Sequence, residues 1–106
     1  MTTMYTTGEW FAKEGHEAAF VDAWGAFATW AHSKPGAGTL RLAQDLDTPD
    51  RFVSFGLWDS PESAHQWKVD PEFPARMAKV QEHVAKFKPA ELQVVRTAGE
   101  PADVSR

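Results

Sequence analysis

The clearest pattern in the chain is the apolar run FVSFGLW at residues 52–58, which Asp59, Ser60 and Pro61 bring to an end. A short run of β-branched and aromatic residues followed by turn-forming residues predicts a buried strand. Successive side chains of a strand point to opposite faces. One face combines small and aromatic residues, namely Phe52, Ser54, Gly56 and Trp58. The other face is uniformly apolar and consists of Val53, Phe55 and Leu57. Neither face is polar, so we expect both to be covered.

Patterns before this run predict two strands and one long helix. Residues 4–11 have a strand composition, and Gly8 marks a point where another group approaches the backbone closely. Aromatic residues recur at helical spacing from His16 to about Ser33. Gly25 lies inside this helix, where its cost predicts close packing against a neighbour. Residues 39–45 alternate as a half-buried strand does and form an antiparallel hairpin with residues 52–58.

Two helix starts follow the apolar run. Asp59 or Ser60 caps a short helix whose first residue is Pro61. The step Asp70-Pro71-Glu72 predicts a further helix start. An apolar stripe extends that helix to about Pro89, and its members are Phe73, Met77, Val80, Val84 and Phe87. Residues 92–95 supply the last predicted strand.

This order of elements predicts an α+β fold, a ferredoxin-like antiparallel four-stranded sheet with helices on one face. At 106 residues the chain forms one domain. We assign residues 1–96 to that domain and residues 97–106 to a flexible C-terminal tail, because the latter are small, polar and contain proline.

Composition narrows the function classes. A net charge of −4 offers no basic face to a phosphate backbone, so we expect no nucleic-acid partner. No apolar run is long enough to span a bilayer and no signal peptide begins the chain, so we expect a cytoplasmic protein without a membrane partner. The chain has no cysteine, which excludes disulfides and thiolate chemistry.

The candidate chemistry is aromatic rather than metallic. The four histidines lack the helical spacing that chelates a metal, and no phosphate-binding loop or dinucleotide motif is present, so we expect no metal and no cofactor. Five aromatic residues could line a pocket for a flat hydrophobic molecule, namely Trp24, Phe27, Trp58, Trp67 and Phe73. Core packing alone is the competing explanation. Similarly, His65 is either a base beside two tryptophans or a histidine on the outer face of its helix.

The segment FVSFGLWDSPESA at residues 52–64, with Trp67 and the step Pro71-Glu72-Phe73, resembles the antibiotic biosynthesis monooxygenase family of dimeric α/β-barrel proteins. The resemblance covers residues 4–96. It implies a homodimer, a small hydrophobic aromatic ligand and, in one branch, cofactor-independent oxidation of polycyclic phenols to quinones. Trp58 matches the strand-end tryptophan of that branch, while its asparagine and tyrosine are replaced by Ser54 and Ala64.

Two other functions remain open from the resemblance. One is a non-catalytic dimer that binds a small molecule, and the other is heme degradation. Trp67 resembles the tryptophan of the heme-degrading branch, but Met77 stands where that branch has its iron-ligating histidine, which disfavours heme. If the protein is a monooxygenase, we expect catalytic roles for Trp58, which would bound the ring-binding cavity, for Ser54, which would hydrogen-bond a substrate oxygen, and for His65 as the candidate base. Trp24, Phe27, Trp67, Phe73 and Met77 would then bind the substrate.

Overall fold

A computed structural model describes residues 3–99 of the chain. Its elements are β1 (Met4–Ala12), α1 (Glu17–His32), β2 (Ala37–Gln44), β3 (Arg51–Trp58), α2 (Pro61–Lys68), α3 (Phe73–Gln81) and β4 (Val84–Gln93). All neighbouring strands are antiparallel, in the order β2-β3-β1-β4. The predicted α+β ferredoxin-like sheet is therefore confirmed, as is the hairpin between β2 and β3.

The central strands β1 and β3 carry the core. Their register sets Trp10 opposite Phe52 and Gly8 opposite Ser54. Phe52, Ser54 and Trp58 are buried on the helix side, whereas Phe55 is exposed on the other side. The predicted division of β3 into two faces is confirmed, because side chains alternate along a strand and the helices cover one face.

Local chemistry starts α2 where the sequence predicts. Ser60 is its N-cap and accepts a hydrogen bond at its Oγ from the backbone N–H of Ser63 at 3.2 Å, and Pro61 is the first helical residue. The Asp59 carboxylate instead accepts from the Ser63 hydroxyl at 2.8 Å. The first turn of a helix leaves N–H groups without partners inside the helix. Here Ser60 accepts from the N–H of Ser63, and Pro61 has no N–H to satisfy.

The predicted end of the last helix is wrong. α3 stops at Gln81, and Val84 and Phe87 belong to β4, which also includes Pro89. The strand predicted at residues 92–95 overlaps only the last two residues of β4. Spacing by three and four residues continues by coincidence across the turn, and pairing with β1 decides the outcome. Because β4 is an edge strand, it tolerates proline and lysine.

Gly25 also differs from expectation. A Cβ built at this position meets no atom within 4 Å, so close packing does not explain the glycine. Residues 97–99 lie outside helices and strands, and the remainder of the predicted tail, residues 100–106, lies outside the described residues. Within residues 3–99, no helix has the length and apolar character needed to cross a membrane.

Candidate functional site

A cavity of 270 Å³ lies between the helices and the sheet, and every helix and strand contributes to its wall. Most of its lining is apolar. The lining residues are Thr6, Thr7, Trp10, Trp24, Phe27, Leu40, Ser54, Gly56, Trp67, Lys68, Phe73, Met77, Phe87 and Pro89. Pockets for small organic ligands have this character, an apolar wall with a few polar groups.

Trp67 is the centre of the aromatic wall. Its ring lies 5.0 Å from Phe73 in an edge-on arrangement and 5.7 Å from Phe27. On another side it stacks on Trp58 at 5.0 Å. Contacts of this kind stabilise aromatic pairs and hold each ring in one orientation. The wall is therefore shaped by rings that α1, α2, α3 and β3 position against one another.

Two hydroxyl groups in the cavity lining accept hydrogen bonds from indoles. Trp10 donates its Nε1–H to Ser54 Oγ at 3.0 Å, and Trp58 donates its Nε1–H to Thr6 Oγ1 at 3.1 Å. A hydroxyl has one hydrogen to donate and two lone pairs to accept with. Each hydroxyl can therefore still donate its own hydrogen to a ligand.

Missing side chains on β1 and β3 leave room for these groups. A Cβ at Gly8 would lie 2.7 Å from Trp10 Nε1, and a Cβ at Gly56 would lie 2.8 Å from Thr6 Oγ1. Both distances are too short for real carbon atoms, so the indole and the hydroxyl occupy space that any other residue would fill. The close approach expected at Gly8 is observed.

The structure brings most of the residues predicted for the site together. Six of them line the cavity, namely Trp24, Phe27, Ser54, Trp67, Phe73 and Met77. Trp58 is fully buried and is not among the lining residues; it lies behind the wall, where it stacks on Trp67 and donates to Thr6. His65 lies exposed on the solvent side of α2 and does not line the cavity. The structure therefore does not bring His65 into the cavity, because the buried residues of α2 are Ala64 and Trp67.

One buried polar atom lacks a partner. Within residues 3–99, the indole N–H of Trp67 is buried and donates to no acceptor. A buried donor without an acceptor costs free energy, and most buried donors in proteins therefore have a partner. Trp67 contributes ring surface to the wall, and the structure provides no acceptor for its nitrogen.

Sequence reasoning missed several wall residues. Trp10 and Thr6 on β1 face the cavity because they share an alternation with Met4 and Gly8, a signal available from the sequence. Lys68, the last residue of α2, also lines the cavity. Phe87, which the apolar spacing predicts in a helix, belongs to β4 and stacks on Trp10 at 4.0 Å. Only the pairing of β4 with β1 reveals that contact.

The fold also pairs two histidines outside the cavity. The Nδ1 atoms of His16 and His83 lie 3.1 Å apart, although 67 positions separate them in the sequence. No group of three or more possible metal ligands occurs within residues 3–99. The pair links the start of α1 to the turn before β4, and we assign it a structural role.

Several solved structures share this fold. SnoaB from Streptomyces nogalater, a cofactor-independent oxygenase, is 14% identical, with a TM-score of 0.86 over 94% of this chain and 100% of that chain. A candidate antibiotic biosynthesis monooxygenase from Nitrosomonas europaea is 19% identical, with a TM-score of 0.78 over 92% and 94% of the two chains. Another, from Chloroflexus aurantiacus, is 24% identical, with a TM-score of 0.73 over 93% and 97%.

Identity at this level establishes the fold and leaves the reaction open. Among curated proteins, none matches this chain significantly. Residues 3–79, from β1 to most of α3, match the model of the family described as antibiotic biosynthesis monooxygenase. Because that match covers more than half of the sequence, the chain is a member of the antibiotic biosynthesis monooxygenase family.

Proposed function

We propose that the protein is a cofactor-independent monooxygenase that acts on a polycyclic aromatic phenol or a similar small hydrophobic substrate. The observation that carries this proposal is the 270 Å³ cavity, whose wall is mostly aromatic and whose polar groups are few. At 270 Å³ the cavity lies just below the range of about 300–1,000 Å³ that is typical of drug-sized ligands, so it suits a small ligand of two or three fused rings. Flat rings match the indole and phenyl surfaces that surround it.

The chemistry would be centred on the substrate. An anthrone-like ring loses a proton, and the resulting carbanion gives electrons to dioxygen and forms a carbon–oxygen bond. The O–O bond of the hydroperoxide then breaks, water leaves and the ring carbon becomes the second carbonyl of a quinone. The protein contributes by holding the ring in one orientation and by replacing water around it.

The wall residues have separate parts in this proposal. Trp67, Phe27 and Phe73 hold the ring through the contacts described above. Ser54 and Thr6 donate hydrogen bonds to substrate oxygens, because each hydroxyl accepts from an indole and keeps its own hydrogen free to donate. No histidine or carboxylate lines the cavity within residues 3–99, so the substrate's proton leaves to water.

We also propose that the protein acts as a homodimer through the outer face of its sheet. Phe55 is 40% exposed and Leu92 is 52% exposed on that face. Apolar patches of this kind usually mark interfaces. A second copy of the same sheet would cover them by a symmetric contact.

Oxygen uptake with anthrone tests the enzymatic function. We expect the protein to consume one dioxygen per anthraquinone formed. An oxygen electrode measures the dioxygen consumed, and absorbance measures the anthraquinone formed. Trp67→Phe should lower kcat/KM about tenfold or more, because a smaller ring moves the substrate from its reactive position. Trp30→Phe is the matched control, since Trp30 does not line the cavity.

The alternative function gives a different result in the same experiment. If the protein binds the ring saturably but does not raise the rate of oxygen uptake above that of buffer, it is a small-molecule-binding protein and not an oxygenase. If neither binding nor uptake occurs, the cavity does not serve aromatic ligands. Heme degradation is not proposed, because Met77 lines the cavity and, within residues 3–99, no histidine does.

A further inference from the structure

We propose that Lys68 is the anion-binding residue of the cavity and that it holds the ionised hydroxyl oxygen of the aromatic ligand. This inference rests on the proposed function and narrows its substrate class to rings with an acidic hydroxyl or an enolisable carbonyl. Lys68 is the last residue of α2, next to Trp67, and its side chain is 33% exposed at the edge of the cavity.

The first support is the composition of the wall. Of the residues that line the cavity within the described part of the chain, Lys68 alone carries an ionisable side chain. A charge beside an apolar wall acts more strongly on a nearby ion than it does in water, because the effective dielectric constant there is lower. The ammonium group is therefore the one formal charge that the described lining offers to a bound ring.

The second support is the weakness of the ion pair that Lys68 makes with Glu91. Its Nζ lies 2.5 Å from Oε2 of Glu91 on β4, and the Glu91 side chain is 51% exposed. Ion pairs this exposed stabilise proteins little, because solvent screens them and long side chains lose freedom. A ligand oxygen can therefore replace Glu91, whose carboxylate remains hydrated at the surface.

The third support is that the other polar groups are also donors. The hydroxyls of Ser54 and Thr6 accept from indoles and so have a hydrogen left to donate. Thr7, the remaining hydroxyl of the lining, already donates to the Ala90 carbonyl at 3.4 Å. A cavity with an ammonium group and two free O–H donors is complementary to an anionic or carbonyl oxygen.

A consequence follows for the ionisation of the ligand. An ammonium group within about 4–6 Å favours the charged form of an acid and lowers its pKa by about 1–3 units. The cavity should therefore bind the ionised form of a phenol at pH values where the free phenol is neutral. The released proton passes to water, and no protein base is required at this step.

The test uses 2-naphthol as the probe, under anaerobic conditions, with the full-length protein. Its neutral and ionised forms differ in absorbance, so a pH titration of the complex reports ionisation directly. We expect about tenfold more ionised naphthol in the complex than in buffer at the same pH, a shift of about one unit. Lys68→Met should abolish this excess, and Lys68→Arg should retain most of it.

Two further variants control for charge and position. Lys88→Met removes a lysine from β4 that does not line the cavity, and it should leave the titration unchanged. Glu91→Gln removes the competing carboxylate and should strengthen naphtholate binding about two- to fivefold. Lys68 and Glu91 variants thus change the affinity in opposite directions, which general damage to the fold does not produce.

2-Methoxynaphthalene, which cannot ionise, separates this inference from the proposed function. Equal binding of this ether to the parent and to Lys68→Met, together with loss of the naphthol shift in the variant, supports the inference. If the parent binds both rings but shows no excess ionisation, or if Lys68→Met keeps it, the role of Lys68 is wrong and the aromatic site stands. If the parent binds neither ring, both proposals are overturned.

Discussion

Two indole-to-hydroxyl hydrogen bonds explain much of the inner face of the sheet at the residue scale. The bond from Trp10 to Ser54 is buried, and the bond from Trp58 to Thr6 is partly buried. Buried donors need acceptors, so a small polar residue beside each indole satisfies a group that packing alone would leave unpaired. Ser54 therefore has a structural role as the acceptor of the Trp10 indole N–H.

Ser54→Ala tests that structural role. The substitution leaves the buried Trp10 N–H without an acceptor, and we expect it to lower the free energy of unfolding by about 1–3 kcal/mol. Chemical denaturation measures this difference. In a double-mutant cycle with Trp10→Phe, the coupling should be about 0.5–3 kcal/mol. Additive effects of the two substitutions would show that the hydrogen bond contributes nothing to stability.

Two glycines should respond to alanine in opposite ways. Gly25 lies inside α1 with open space around its Cβ position, so Gly25→Ala should stabilise the protein by about 0.5–1 kcal/mol. Gly36 has a φ of 85°, and a Cβ there would lie 2.3 Å from Ser63 Oγ. Gly36→Ala should therefore destabilise it by about 1–3 kcal/mol.

Thermal unfolding of the two variants against the parent checks these signs. The pair shares one chemical change, so any difference between them comes from position. A loss of stability in Gly25→Ala would mean that this part of α1 is packed against a group the isolated chain does not contain, such as a second copy.

The boundary between α3 and β4 shows how neighbouring elements compete at the element scale. Phe73, Met77 and Val80 form a true helical stripe, and its spacing continues to Val84 and Phe87 across the turn. Residues 84–93 contain two lysines and a proline, a composition with low strand propensity. Their strand is made by pairing with β1 and by stacking of Phe87 on Trp10, and neither contact is local in sequence.

An ion pair joins two connecting segments and should make stability depend on pH. Lys34, which follows α1, donates to the Asp70 carboxylate between α2 and α3 at 2.6 Å. This hydrogen bond, with a second one from the backbone N–H of Glu72, lowers the pKa of Asp70. The stabilisation is therefore complete above the unfolded-state pKa of about 4 and is lost as pH falls through the lower folded-state value.

Asp70→Asn tests this dependence. We expect its Tm to be lower than that of the parent near neutral pH, with the gap closing as pH falls below about 4. Asp22→Asn, at an exposed carboxylate on α1, is the matched control and should follow the parent at every pH. A Tm gap of constant size across the acid range would contradict the assignment, because it would not follow the ionisation of Asp70.

The sheet has two different faces at the scale of the whole molecule. Helices and the cavity occupy one face, and the other is open in the single chain. Its centre is apolar, with Tyr5 set between Leu57 and Leu92 across three strands. Towards one end, Arg51 donates to Glu9 and Asp45 at 2.8 and 2.9 Å. An apolar centre beside charged groups is typical of an interface.

Dimerisation through this face is therefore our expectation for the protein in solution. Sedimentation equilibrium at micromolar concentration should give twice the mass of one chain. We expect the dimer to bury about 1,600 Å² or more of surface in total. Phe55→Asp should dissociate the dimer, because it places a charge in the apolar centre. Val21→Asp, at an exposed apolar residue of α1 on the helix side, should not.

A monomeric parent protein would contradict this expectation and leave the outer face without a partner. A dimer that survives Phe55→Asp but dissociates in Val21→Asp would move the interface to the helix side.

The sequence by itself determined the fold class, the two faces of β3 and most of the aromatic wall. Those features depend on local periodicity and on caps such as Ser60, which act within a few residues. Tertiary structure alone decided that Val84 begins a strand and that Trp58 supports the wall from behind. Each of these depends on which distant strand or helix lies opposite, and only the folded chain determines such pairings.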